Sequence, residues 1–380
     1  MDRIYLDNAA TTPIDPEVVE VMARALRGLY GNPSSIHAEG RRARAAVEGA
    51  RKQVAQYLGA SIGEVFFTSC GTESNNMILK NAVRDLGVRR LISARTEHHC
   101  VLHSLDAIAR RPEVEVVYLD QDARGRIDLE QLRNLLAGNS KKTLVSLMHS
   151  NNEIGTMIDL HKVGALCEEY GALFHSDTVQ TIGYYPFDLA HTPVHFISGS
   201  AHKFYGPKGA GFVYIDGEHL LQPYIDGGAQ ERNMRGGTEN IYGILGLAKA
   251  LELAAENMED RRRRISDLRQ YLAERLQALF DIGFNGDWDG RSHYKLLSIA
   301  FPPSPKSDML LLNLDIAGIA VSGGSACSSG ADAGSHVLEA LYGPDDTRKT
   351  IRFSLSHHNT VDEIDATVEK LKEILAVAVH

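Results

Sequence analysis

The sequence predicts an α/β protein with a mostly parallel central sheet flanked by helices, followed by a smaller α+β unit. Two observations carry this. Short apolar strands alternate with amphipathic helices as far as about residue 240, which is the pattern of βαβ units. Beyond that point the alternation stops, and two long helices, isolated strands and a Gly/Ser-rich stretch follow. The pattern divides the chain into a large unit, 15–250, and a small unit made of 1–14 and 251–380 that carries a loop at 322–334.

Strands are expected at 64–68, 90–93, 114–119, 143–148, 172–175, 194–198 and 211–215. Each is rich in Val, Ile, Leu or Phe and bounded by Gly, Asp or Ser. Helices are expected between several of them. Residues 43–58 place Val47, Ala50, Val54, Tyr57 and Leu58 on one face at near-helical spacing. Residues 73–86, 101–109, 129–136 and 162–170 repeat that pattern. In the second unit, helices are expected at 240–257 and 262–279, a strand at 295–301 and a helix at 307–316. A further helix, a strand at 350–354 and a last helix at 361–377 close the chain.

Composition excludes several classes. With 380 residues and 43% hydrophobic content, the chain can bury a large core. A formal charge of −9 disfavours nucleic acid as a partner. No stretch approaches the ~20 apolar residues of a membrane span, and the first residues lack a leader's basic-then-apolar pattern. Four cysteines, Cys70, Cys100, Cys167 and Cys327, form no CxxC pair. A reducing cytoplasm is the expected location. The run Arg261–Arg264 follows Glu259-Asp260 and reads as a solvated, charge-paired helix face.

Four segments carry chemistry. In Ser198-Gly199-Ser200-Ala201-His202-Lys203-Phe204-Tyr205-Gly206, an apolar strand delivers a lysine into a turn. Such a lysine either forms a Schiff base with an aldehyde cofactor or snorkels from a strand end. In Phe174-His175-Ser176-Asp177, a carboxylate ends another apolar strand. It can hold a pyridinium nitrogen protonated or simply cap a helix. In Thr68-Ser69-Cys70-Gly71-Thr72-Glu73, a strand ends, a glycine turns the chain and a helix opens, which makes an anion cradle. In Val321-Ser322-Gly323-Gly324-Ser325-Ala326-Cys327-Ser328-Ser329-Gly330, a thiol sits within a loop too poor in apolar residues to pack a core.

These residues resemble the cysteine desulfurases, in the class V branch of the fold-type I pyridoxal-phosphate enzymes. The group with the nucleophile on a long loop in an SGSACSS-like context fits best. The resemblance spans the chain through Tyr5-Leu6-Asp7-Asn8-Ala9-Ala10-Thr11-Thr12, Thr96-Glu97-His98, His149-Ser150-Asn151-Asn152-Glu153 and Arg235-Gly236-Gly237-Thr238-Glu239-Asn240. It ends with Ile351-Arg352-Phe353-Ser354. Gly323, Gly236 and the run Ser356-His357-His358 depart from the usual pattern.

The resemblance implies a role for each matching residue. Lys203 would carry pyridoxal 5'-phosphate, His98 would stack on its ring, and Asp177 would pair with its pyridine nitrogen. Asn152 and Gln180 would bond its phenolic oxygen. Gly71, Thr72, Ser200 and His202 would hold its phosphate, with Thr238 reaching the neighbouring subunit of a homodimer. Arg352 would clamp the carboxylate of L-cysteine, with Asn32 nearby. Cys327 would accept sulfur as a persulfide for an iron–sulfur scaffold or another acceptor, with His98 as the group that favours its thiolate. The same lysine and aspartate also serve a selenocysteine lyase or another class V lyase or transaminase. A catalytically silent sulfur-relay protein on this fold is the third reading.

The cluster Glu97-His98-His99-Cys100, with His103 one helical turn beyond His99, has a spacing that zinc could use. No second ligand cluster accompanies it, and no metal is expected. Cys70 reads as a small residue in a tight turn and Cys167 as core packing.

Overall fold

The computed structural model describes residues 3–138, 140–219, 221–323 and 334–375. Cys327 lies outside the described residues. Twelve strands are present among the described residues: β1 Ile4–Tyr5, β2 Val65–Thr68, β3 Arg90–Ala94, β4 Glu115–Leu119, β5 Thr143–Ser146, β6 Leu173–Asp177, β7 Phe196–Ser200, β8 Gly211–Ile215, β9 Gly283–Phe284, β10 Leu296–Phe301, β11 Ile319–Ala320 and β12 Lys349–Ser354.

Seven strands form the central sheet in the order β2-β8-β7-β6-β5-β3-β4. The pairs β3–β4, β3–β5, β5–β6 and β6–β7 are parallel, while β8 runs antiparallel to both β7 and β2. Only β8 is therefore reversed. The cause is local: β7 and β8 are joined by the short segment 201–210, too brief for a crossover, so the chain folds straight back. Lys203 lies on that segment. Strands β2, β3, β5, β6, β7 and β8 are buried along their whole length. Helices on both faces of a parallel sheet require such apolar strands.

The expected elements appear with boundary shifts of a few residues. The helix foreseen at 43–58 begins earlier, at Ala38, because the His37 ring caps it, and it ends on Gly59 with φ +62°. No element was expected at 16–28, yet Pro16–Gly28 is a helix. Asp15 accepts the Glu17 N–H as N-cap and Pro16 opens the first turn. Val18 and Ala25 are buried on its inner face. The helix expected at 307–316 is broken at Met309 into Pro305–Asp308 and Leu310–Ile316.

A three-stranded sheet, β12-β10-β9, builds the second layer. β10 and β12 are antiparallel, with Ser298 opposite Arg352. β1 pairs with β11 in parallel, so the N-terminal strand joins the C-terminal part of the chain. The N-terminal segment then bridges to β12, with Asp7 beside Ser354. Among the described residues, no helix is long and apolar enough to cross a membrane.

Candidate active site

A cavity of about 300 Å³ opens at the C-terminal ends of β6 and β7, where ligands gather in open α/β sheets. Ten expected site residues line it: Lys203, Asp177, Gln180, Asn152, His98, Gly71, Thr72, Ser200, His202 and Arg352. They come from six separate stretches of chain.

Lys203 follows β7 in a single 3-10 turn. Its Nζ donates to the carbonyls of Ala9 and Ala10 at 2.8 and 2.7 Å. The N-terminal segment thus reaches the lysine's amine. It also fastens the turn, since the Thr12 N–H donates to the His202 carbonyl at 2.9 Å. From below, the Tyr184 hydroxyl donates to the Lys203 carbonyl at 3.0 Å. Two residues on, Tyr205 has φ +68°, a conformation that non-glycine residues adopt only when their surroundings impose it.

Asp177 ends β6. Its Oδ2 accepts from Asn75 Nδ2 at 2.6 Å and its Oδ1 from the Val179 N–H at 3.0 Å. Two donors hold the carboxylate in one orientation beside the cavity.

The helix Gly71–Asp85 starts at the cavity wall with no side-chain cap on its first turn. First-turn N–H groups lack intrahelical acceptors and attract anions. Gly71 is required sterically, because a Cβ there would lie 2.5 Å from Val179 Cγ2. Ser200 Oγ and Gln180 Oε1 are buried in the same wall and have no partner among the described residues. Buried polar atoms are ordinarily bonded. An unpaired hydroxyl beside an uncapped helix start suits a phosphate, and an unpaired amide oxygen suits a ring hydroxyl. With Lys203 and Asp177, these groups fit a phosphorylated pyridine aldehyde.

Arg352, on β12, is 1% exposed. Its Nη1 donates to the Asn152 carbonyl at 2.7 Å and its Nη2 to Asp7 Oδ1 at 2.8 Å. The backbone of Arg352 also pairs with Ser322, the residue at which the 322–334 loop begins. Ser322 therefore sits beside the Arg352 backbone. Cys327 follows it by five positions in the sequence, at most ~17 Å of chain.

His98 caps the helix His99–Ala109. Burial, together with Lys203, His336 and His103, lowers its pKa, against the raising effect of Asp177. Its imidazole is therefore biased toward the neutral form. His202, buried beside Lys203, Lys208 and Lys295, is pushed down to about 4.

Two expected residues do not line the cavity. Thr238 borders a smaller space of about 110 Å³ with Ser69, Gly209 and Arg235. Asn32 is exposed, and its Oδ1 accepts from the Ser34 N–H at 2.9 Å. His99 and His103 have ring centroids 5.2 Å apart, but no group of three or more His, Cys, Asp or Glu among the described residues could hold a metal ion.

Sequence reasoning missed Asn75, Cys100 and Lys295. Asn75 lies within the predicted helix 73–86, one turn in from its start, and its spacing from Gly71 could have flagged it. Lys295 is fully buried, and its Nζ has no hydrogen-bond partner among the described residues. Its signal was a lysine at the head of an otherwise apolar strand.

A cysteine desulfurase IscS from Dictyoglomus turgidum is 40% identical over 381 residues, covering 98% of this chain and 94% of the relative. One from Methanosarcina thermophila is 39% identical over 376 residues, covering 98% and 92%. A solved structure described as a NifS-like protein superposes with a TM-score of 0.91 at 38% identity, covering 98% of this chain and 99% of that one. Another, from Rickettsia africae, gives 0.88 at 33%, covering 99% and 100%. The class-V aminotransferase family matches residues 4–367, and the chain belongs to that family.

Proposed function

We propose that this protein is a pyridoxal-phosphate-dependent cysteine desulfurase, which converts L-cysteine to L-alanine and passes the sulfur on through a persulfide on Cys327. The observation that carries the reading is the convergence of Lys203, Asp177 and Arg352 on one cavity. An amine, a carboxylate and a guanidinium are what a pyridine aldehyde and an amino acid require together. Relatives named cysteine desulfurase, matched over nearly the whole chain, support the choice of substrate.

Bound pyridoxal phosphate supplies an electron sink for the bond-breaking at the substrate's carbon. The chain's own groups do the rest. Gly71, Thr72, Ser200 and His202 would hold the phosphate, with the helix start as the anion site. Asp177 would pair with the ring nitrogen and favour its protonated form. Gln180 and Asn152 would bond the phenolic oxygen. Lys203 Nζ would hold the cofactor through its aldehyde group and would serve as the base for the substrate's Cα proton. Arg352 orients the substrate carboxylate through a bidentate contact.

Cys327 Sγ, as thiolate, attacks the substrate sulfur. An S–S bond forms and the substrate's C–S bond breaks, with its electron pair left on carbon, where a proton then restores alanine. An acceptor thiol or an iron–sulfur scaffold takes the persulfide sulfur.

The reading includes a homodimer. Tyr30 and Ile36 flank Asn32 and are 76% and 91% exposed, and a second copy that covers them would carry Thr238 and Asn32 to the partner's site.

The test is to incubate the protein with pyridoxal phosphate, L-cysteine and a reductant and to measure sulfide and alanine together. Equal yields from the wild type, nearly abolished in Cys327→Ala, are expected. Alanine release that persists in the variant overturns the persulfide, and absence of both products from the wild type overturns the activity.

A further inference from the structure

The cavity wall holds two cysteines, Cys70 and Cys100, to which the proposed reaction gives no part. Cys100 Sγ lies 3.0 Å from His98 Nδ1. The same Nδ1 accepts the Cys100 backbone N–H at 3.2 Å. A backbone amide only donates, so this Nδ1 carries a lone pair and no proton. The contact with Sγ is then a hydrogen bond only if the thiol is protonated and donates. Burial agrees, because it pushes the Cys100 thiol up to about 12.

The remaining atoms close the same assignment. Cys100 Sγ accepts from Asn75 Nδ2 at 3.2 Å. That amide's other hydrogen goes to Asp177 Oδ2 at 2.6 Å, and Asn75 Oδ1 accepts from Ser198 Oγ at 2.6 Å. Each donor along Ser198, Asn75 and Cys100 meets an acceptor, with His98 Nδ1 shared between the amide and thiol hydrogens of Cys100. If Nδ1 carried the proton instead, the imidazole N–H would confront both the Cys100 amide hydrogen and the thiol hydrogen.

We propose that Cys100 is a positioning residue, which fixes the His98 imidazole with its single proton on Nε2 and ties it through Asn75 to Asp177. The proposal rests on the desulfurase reading for the meaning of His98, and it changes that meaning. In the resting protein, His98 presents Nε2–H as a proton donor. It is not the base that forms the Cys327 thiolate. The groups facing His98 are Asp177 from the end of β6, Lys203 from the turn after β7, His103 from its own helix and His336 from the helix His336–Tyr342. Asp177 alone favours a charged imidazole, and burial, Lys203, His336 and His103 oppose it.

The experiment is nitrogen NMR of protein labelled with ¹⁵N-histidine, with and without pyridoxal phosphate. Wild type, Cys100→Ala and Cys100→Ser are compared. The His98 signals are assigned by their disappearance in His98→Gln. The expected wild-type spectrum has a protonated Nε2 and a bare Nδ1 at neutral pH. In Cys100→Ala the lost donor leaves Nδ1 more basic, so the midpoint of His98 protonation moves up. Cys100→Ser restores an O–H donor and moves it back. With L-cysteine, Cys100→Ala lowers kcat about tenfold with KM nearly unchanged, and Cys100→Ser recovers most of the loss.

A protonated Nδ1 in the wild type overturns the proposal, and so does a Cys100→Ala titration that matches the wild type. Equal defects in both variants would mean packing alone and overturn it too. The tautomer is read without cofactor or turnover. A protein with the expected tautomer but no alanine production therefore refutes the desulfurase reading alone, and an active protein with the other tautomer refutes the positioning role alone.

Discussion

Arg352 and Asp7 form an ion pair at 2.8 Å, although 345 positions separate them in the chain. The guanidinium is almost completely buried, and its Nη1 is spent on the Asn152 carbonyl. Asp7 therefore holds the place that a substrate carboxylate would compete for or share. Arg352→Lys keeps the charge and loses the fork. The expected result is a rise in KM for L-cysteine of about 10–100-fold, the worth of one or two charge-assisted hydrogen bonds. Steady-state kinetics on cofactor-saturated protein check it, and an unchanged KM would remove Arg352 from substrate binding.

Lys295 tests stability instead. Its Nζ lies 3.9 Å from the centroid of the Tyr184 ring. Burial, with Lys203 and Arg352 nearby, pushes the amine well below the usual lysine range. The contact is then an N–H against the ring rather than a full cation–π pair. An amine whose folded pKa is depressed binds its proton more readily in the unfolded chain, so stability rises with pH up to about 10.4. Lys295→Met should stabilise the protein at pH 7 by about 1–3 kcal/mol, the cost of an unbonded buried polar group, and flatten that rise. Urea midpoints at pH 7 and 9 measure both effects.

Arg51 and Glu231 make a buried bidentate pair at 2.6 and 3.0 Å. Glu231 also accepts the Phe67 N–H at 2.7 Å, and Arg51 donates to the Val65 carbonyl at 2.9 Å. The pair therefore holds β2 at Val65 and Phe67, in the strand that leads into the anion cradle. Glu231, Arg232 and Asn233 all have positive φ, a strain that the pair sustains. Glu231→Gln should cost about 1–3 kcal/mol, because the buried guanidinium loses its bidentate partner and keeps as counter-charge only the half-exposed Glu48, at 3.1 Å from its Nε. Denaturant unfolding without cofactor reads this directly, and a loss below 1 kcal/mol would contradict it.

Gly71→Ala places a Cβ against Val179 Cγ2, and Val179 lines the cavity. Displacing it crowds the cofactor site from inside, the kind of overpacking that costs about 1–3 kcal/mol. Weaker retention of pyridoxal phosphate, by about tenfold, is expected, together with a lower unfolding midpoint of the unloaded protein. Equilibrium dialysis measures the first and thermal denaturation the second.

The sequence by itself determined the parallel sheet, the strand-end Lys203 and Asp177 and the glycine turn into the helix at Gly71. Each of these is written in residues a few positions apart, where periodicity and turn chemistry act. It also pointed to Cys327 as the candidate nucleophile, which lies outside the described residues. What only the tertiary structure decided are the contacts between distant stretches: the Ala9 and Ala10 carbonyls on Lys203, Asp7 on Arg352, and the chain from Cys100 through Asn75 to Asp177. In the sequence, Cys100 belonged to a histidine-rich cluster that resembled metal ligands, and Lys295 to the start of a strand. Their surroundings are set by which strands and helices pack together, and no local pattern encodes the donor or acceptor that a folded neighbour supplies.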